Sequence, residues 1–286
     1  MGEGIRARIQ LHGRFAVRVD GRMVERDLPG RRGRLLVAYL AANRLSAVDR
    51  DALLEVLWHP ADPGRGAAAG FAALLSKTRG ALAPIEIRGR GSLQIVLPAQ
   101  SVVDADAAAA ALHDAEAAAS LQDWPRAWTQ ALSTLFVTQR QFLSDLDHPW
   151  VDDRRRAARH DHERALACYA EACLHLGPAE LPSAERSARR LVELQPLSEI
   201  GYGLLMRALA ARGDHAAAVV VYDQLRRVLR DDLGVSPSPA SQHLLGRLLR
   251  RGPHDNVSPT FLSGPGKDGE EPVVTTDRRS HEPGEL

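Results

Sequence analysis

Between Glu199 and Arg230, large and small side chains follow one another in an order that suits two antiparallel helices crossing at close range. Tyr202, Leu205, Met206 and Leu209 recur at helical spacing, Gly213-Asp214 breaks the run, and Ala218, Tyr222 and Leu225 resume it. The preceding stretch repeats the arrangement, with Leu166, Tyr169, Ala170 and Cys173 on one predicted helix, Ala184, Ala188 and Leu191 on the next, and Pro196 closing the unit. Its connection, Pro178 to Ser183, reads as a longer loop than such a pair needs. A third, more degenerate unit is expected from Ala107 to Leu135, with Ala127 and Ala131 as the small crossing residues. A helix pair of this kind buries its apolar side only against neighbours, so about three or more must stack.

This spacing follows the tetratricopeptide pattern. It predicts an all-α repeat domain over residues 104–251, a concave platform for a partner or a second copy. Within it Trp150 and Tyr222 are better suited to packing than to recognition. The run Asp152 to Arg156 reads as a solvated helical face or an interdomain ion-pair patch, each pair contributing under about 1 kcal/mol.

The first hundred residues obey a different period. Ile5 to Gln10 and Phe15 to Val19 read as short strands, and Asp20-Gly21 is a hairpin turn leading to Met23. Arg31 to Asn43 has helical spacing through Leu35, Leu36, Tyr39 and Leu40. Asp49 is placed to cap a second helix that stops before His59-Pro60. A third runs from Gly66 to Leu82 with Phe71, Leu74, Leu75, Thr78 and Leu82 on one side. Ile85 to Ile87 and Leu93 to Leu97 then alternate around Arg88-Gly89-Arg90-Gly91, a second hairpin. Strands, three helices and a closing hairpin are the order of a winged helix-turn-helix, in which the third helix enters the major groove. The predicted fold is therefore an α+β winged helix-turn-helix over residues 1–98, an all-α tetratricopeptide-like domain over 104–251, and a disordered tail over 252–286, where Gly, Pro, Ser, Asp and Glu dominate.

Charge follows the same division. Residues 1–98 hold 16 Lys/Arg against 9 Asp/Glu, residues 99–251 hold 18 against 20, and residues 252–286 hold 3 against 7. A basic first domain on a near-neutral body suits contact with a polyanion. Only Lys77 and Lys267 are lysines, so arginine enrichment from a GC-rich genome is a competing explanation. Enzymatic chemistry finds no support: there is no phosphate loop, no nucleophile elbow and no cysteine pair at metal spacing. His160 and His162 diverge on a helix, as do Cys168 and Cys173, so neither pair meets; the cysteines read as buried thiols. Neither a signal peptide nor a membrane span is evident, and a cytoplasmic protein without cofactor or metal is expected.

The segments LPGRRGRLLVAYLAANR, DRDALLEVLW and SKTRGAL resemble the winged-helix half of the Streptomyces antibiotic regulatory protein family. HPWVDDRRRAARHDHERALACYAEACLHLG and QPLSEIGYGLLMRALAARGDHAAAVVVYDQLRRVLRDDLGVSPSP are similar to its bacterial transcriptional activator domain. The resemblance implies an activator of antibiotic and other secondary-metabolite genes that binds repeated promoter sites on double-stranded DNA and contacts RNA polymerase. A homodimer is a further expectation. The chain departs from the family at Ala72 and Gly80, where relatives carry basic residues, and its hairpin has Gly91-Ser92-Leu93 in place of a Gly-Tyr pair.

On the winged-helix placement the candidate DNA-contacting residues are Arg50, Arg65, Ser76, Lys77, Arg79, Arg88 and Arg90. Arg50 stands near the start of the second helix and Arg65 before the third, Ser76, Lys77 and Arg79 belong to the third helix, and glycines flank Arg88 and Arg90 in a wing expected to be flexible and suited to a narrow minor groove. Ala69, Ala72 and Ala73 suit thymine methyls or close approach. Arg31, Arg32 and Arg34 form the densest basic cluster but precede the first helix, which braces the reader from behind. The rival reading is a protein-binding scaffold or co-regulator whose winged helix no longer reads bases.

Overall fold

The computed structural model describes residues 6–59, 64 and 66–250, so Arg65, Ile5 and the expected tail lie outside the described residues. Strands β1 (Ala7–Gln10) and β2 (Ala16–Val19) pair antiparallel, and β3 (Arg22–Met23) continues the sheet. Asp20 and Gly21 both take positive φ, 47° and 84°, the geometry of a two-residue hairpin turn whose twist matches its strands. Helices α1 (Gly30–Ala42), α2 (Arg50–Trp58) and α3 (Ala67–Leu82) follow. Asp49 caps α2 as expected, its carboxylate accepting the Asp51 N–H at 2.8 Å. The second hairpin is β5 (Glu86–Arg88) with β6 (Ser92–Val96).

Two short strands escaped the sequence reading. β4 (Val48–Asp49), just before α2, pairs with β6 and ties the hairpin to the helices. β7 (Val102–Val103) joins β1 in parallel and completes a sheet of order β3-β2-β1-β7. At two residues each they are too short to show a period.

The remainder is helical: α4 (Asp104–Ser120), α5 (Trp124–Thr138), α6 (Pro149–Leu176), α7 (Leu181–Leu194), α8 (Glu199–Ala211), α9 (His215–Leu233) and α10 (Pro239–Arg250). From α4 to α9 each helix packs chiefly on the next. Small residues sit at the crossings, with Ala127, Ala131, Ala184, Ala188 and Ala218 fully buried. At the α7–α8 crossing a Cβ on Gly201 would lie 3.0 Å from the Val192 backbone nitrogen, so the two backbones meet where only glycine fits comfortably. The expected long loop after α6 is not one: Gly177 at φ 120° turns the chain, and a 3-10 turn, Pro178–Glu180, runs directly into α7.

The first core does not end near Pro98. Phe142, Leu143 and Leu146, from the bend between α5 and α6, and Val151 from the first turn of α6 lie buried with Ile9, Leu11, Phe15, Leu36 and Leu40. Their backbone is stitched to the chain after β1 by Leu143 N–H to Leu11 oxygen at 2.7 Å, Gly13 N–H to Gln141 oxygen at 2.8 Å, and Ser144 N–H to Gly13 oxygen at 2.8 Å. The first core is therefore completed by residues of the helical half, whose later helices keep buried clusters of their own, and the described residues group as one compact unit.

Candidate nucleic-acid interface

The apolar stripe of α3 works as its sequence requires. Phe71, Leu75, Thr78 and Leu82 are buried, and Ala69, Ala72, Ala73, Ser76, Lys77 and Gly80 are exposed. Ser76 and Lys77 make no hydrogen bond or ion pair to other described residues, so their donors are available to a ligand. Gly70 lets the helix lie close to Trp58, since a Cβ there would be 3.2 Å from the indole.

The hairpin beside α3 is held firmly. Gly89, at φ 99°, has no room for a side chain, because a Cβ would lie 1.9 Å from the Ser92 carbonyl oxygen. Arg50 N–H donates to the Gly91 oxygen at 2.9 Å, and Arg79 donates to the oxygens of Ile87 and Gly89, both at 2.9 Å. The expected flexible wing is a tight turn held by hydrogen bonds from Arg50 and Arg79, and Gly89 is required there by backbone geometry.

The candidate residues separate by what they touch. Arg90 is exposed at the turn and makes no contact of its own among the described residues. Arg88 is exposed but pairs with Glu86 at 2.7 Å, so an anion must compete for it. Arg79 spends two of its five donors on the hairpin and acts mainly to position it. Arg50 lies over Phe71, 4.8 Å from the ring centroid, and reaches the Ala68 oxygen at 3.4 Å, bracing the first turn of α3. Lys77 shares an open hollow of about 610 Å³ with Arg22 of β3, which no local pattern connects to it because α1 and α2 lie between them in the chain.

The basic cluster does not precede the first helix as expected but forms the opening turns of α1, and it is engaged elsewhere. Arg31 donates to the Asp147 carbonyl, Arg34 pairs with Asp145, and Arg32 donates to the Leu57 oxygen while lying 4.6 Å over Trp58. The run Asp152 to Arg156 is likewise interdomain in part. Arg154 donates to the Ala42 oxygen at 3.0 Å and Asn43 Oδ1 at 3.1 Å. Arg155, with 11% of its side chain exposed, donates to the oxygens of Phe142, Leu143 and Leu146. Trp150 packs between Tyr39 and Phe142, at ring separations of 4.7 and 6.0 Å. Burial raises the Asp145 carboxyl, but the Phe15 N–H and the Arg34 guanidinium outweigh it and hold the group below the ordinary carboxylate range.

His148 caps α6. Its Nδ1 accepts the Trp150 N–H at 3.1 Å, which leaves Nε2 to donate to the Val56 oxygen at 2.8 Å. Burial lowers its pKa further than the Val56 carbonyl restores it, and His59, 5.4 Å away between ring centroids, adds to the lowering. His160 and His162 diverge, the first toward Glu163 and the second to Thr138 Oγ1 at 2.9 Å. Both cysteines are buried free thiols, and burial pushes each up to about 11. No helix among the described residues is long and apolar enough to cross a membrane.

The strand-and-helix unit thus completes its core with residues from the bend between α5 and α6 of the helical stack. Residues 103–249 match the bacterial transcriptional activator domain, and the chain belongs to that family and to the Streptomyces antibiotic regulatory proteins that carry it. It is 27% identical over 245 residues to the regulatory protein AfsR of Streptomyces coelicolor, covering 82% of this chain but 23% of AfsR. The transcriptional regulatory protein EmbR of Mycobacterium tuberculosis is 28% identical over 252 residues, with 86% of this chain and 64% of EmbR covered. MoaR1 of the same organism, also a transcriptional regulatory protein, is 26% identical over 234 residues, covering 78% and 74%. The chain thus spans about a quarter of AfsR and about two thirds of EmbR. A solved structure of EmbR in complex with a low-affinity phosphopeptide shares the fold, with a TM-score of 0.74 at 23% identity, covering 88% of this chain and 67% of that one.

Proposed function

We propose that this protein is a cytoplasmic, DNA-binding transcriptional activator of secondary-metabolite gene clusters, antibiotic biosynthesis among them, and not an enzyme. In this reading residues 1–98 are a winged helix-turn-helix whose α3 enters the major groove of repeated promoter sites and whose β5–β6 turn reaches the adjacent backbone. Residues 104–251 are the tetratricopeptide-like activator domain that contacts RNA polymerase and a second copy of the chain. The observation that carries the reading is the exposed face of α3, flat and unpartnered at Ala69, Ala73, Ser76, Lys77 and Gly80, standing beside a pinned turn with Arg90 at its tip.

Such a face offers few base-specific donors, so phosphate neutralisation and groove shape are assigned most of the affinity. Arg90 and Lys77 are its principal contacts, with Arg88 and Ser76 secondary and Arg50 and Arg79 positioning. Arg65 remains a candidate by sequence alone. Footprinting on the promoters of the neighbouring gene cluster tests the reading: protection of repeated sites supports it, and absence of protection on any duplex at low salt favours a protein-binding scaffold.

A further inference from the structure

We infer that the solvent face of the first sheet is a docking surface for an acidic, amphipathic helical segment of a protein partner. The strand register places Val102, Arg8, Arg18 and Met23 in one row, since Arg8 pairs with both Val102 and Arg18, and Arg18 with Met23. Arg8 and Arg18 are exposed and directly opposed, the arrangement in which like charges destabilise an antiparallel pair. Neither forms an ion pair among the described residues; Arg18 Nε donates instead to Met23 Sδ at 3.1 Å, and the ion pair of this hairpin belongs to Arg22 and Asp27. The register cannot slip to relieve them, because the alternate residues Ala7, Ile9, Val17 and Val19 fill the core. Beyond the row, exposed Arg14 and Arg26 border an adjoining hollow of about 490 Å³.

The chemistry of the row selects the partner. Glu25 lines the hollow beside Arg18 but is taken up by the Val17 N–H, so both guanidinium groups still call for anions, and opposed Cβ atoms lie about 4.5 to 5.5 Å apart. Residues one helical turn apart, at i and i+4, have nearly that Cβ spacing, about 5 to 6 Å, so two glutamates there can each meet one arginine. The ends of the row are apolar: Val102 is 44% exposed and Met23 is half-buried, so side chains flanking the carboxylates on the same helix have somewhere to pack. A DNA phosphate backbone makes no use of those ends. Arg22, next to Met23 in β3, shares a hollow with Lys77, so the row ends beside the α3 face proposed above for DNA, and the salt slope on DNA separates the two ligands.

The test uses the full chain and a labelled synthetic peptide of about four helical turns, with Glu at i and i+4 flanked by Leu. Its control carries Gln in place of Glu, and a scrambled DNA duplex serves as a second probe. The Glu peptide should bind about tenfold more tightly than the Gln peptide, and Arg8→Ala with Arg18→Ala should erase the difference. DNA affinity and its salt dependence should not change in that double variant. Arg8→Glu should abolish binding of the Glu peptide and raise the melting temperature, because it turns a repulsive cross-strand pair into an attractive one. The inference is overturned if both peptides bind alike, if Arg8→Glu lowers the melting temperature, or if the double variant loses about 1.8 from its salt slope on DNA, which would mark the face as a phosphate contact.

Discussion

Asp145 accepts the backbone N–H of Phe15 at 2.9 Å, joining positions 130 residues apart in the chain. The same carboxylate pairs with Arg34 from α1, so one acidic side chain fixes the bend between α5 and α6 to both the first sheet and the first helix. Arg155 closes the bend from the other side by taking up its carbonyls.

Asp145→Ala removes the acceptor and leaves the Phe15 N–H and a largely buried guanidinium without their partner. A hydrogen bond to a charged group contributes about 1.5 to 3 kcal/mol, and a loss of that order is expected in chemical denaturation. The folded carboxyl titrates below its unfolded value, so its contribution is complete above about pH 4 and disappears as pH falls through the folded value. The variant should accordingly show less acid sensitivity than the parent.

His148 gives a second pH dependence at higher pH. Folding holds this imidazole neutral, and its pKa is depressed below the ordinary value. Stability from this site is therefore complete above about pH 6.5 and declines as pH falls toward the folded value, with the unfolded chain taking the proton first. Asn at the same position can cap α6 without titrating. The melting temperature of the parent should fall between about pH 7.5 and pH 5.5 by more than that of His148→Asn. Equal falls would show that His148 is not the group responsible.

Much of this was legible from the residues alone, and the failures have physical causes. Asp49 as a helix cap, Asp20-Gly21 as a turn, the buried stripe of α3 and the small residues Ala127, Ala131 and Ala218 follow from local rules of spacing and backbone conformation. The bend carrying Phe142, Leu143 and Leu146 has no period of its own, and its partners lie more than a hundred residues away, so nothing local announced the shared core. Arg31, Arg32 and Arg34 show in sequence only as the densest basic cluster, because charge is visible there, whereas the carbonyls and the carboxylate that engage them are not. Arg79 and Arg88 were likewise read for their charge, while Gly89, Gly91 and Glu86 decide what those charges are free to do.

Ala218 is fully buried where α9 meets its neighbours. Ala218→Trp overfills that crossing and should destabilise the helical stack by about 1 to 3 kcal/mol or more, read from a denaturation curve. An unchanged curve would mean that the helices part there at little cost, contrary to their packing.

On the function proposed above, this protein grips DNA through phosphates and groove shape, with a sparse reading helix. A salt titration between about 50 and 200 mM tests it, comparing the parent, Arg88→Ala with Arg90→Ala, and Lys77→Ala on a cognate and a scrambled duplex. The wing variant should weaken binding to both duplexes and lower the slope of log K against log salt by about 0.9 for each phosphate that is no longer neutralised. Lys77→Ala should do the same to a smaller extent and leave the preference for the cognate duplex in place. If instead the wing variant keeps its slope while Lys77→Ala abolishes the cognate preference, a loss of about 1 to 3 kcal/mol at one base pair, α3 is a conventional base reader and the account is wrong.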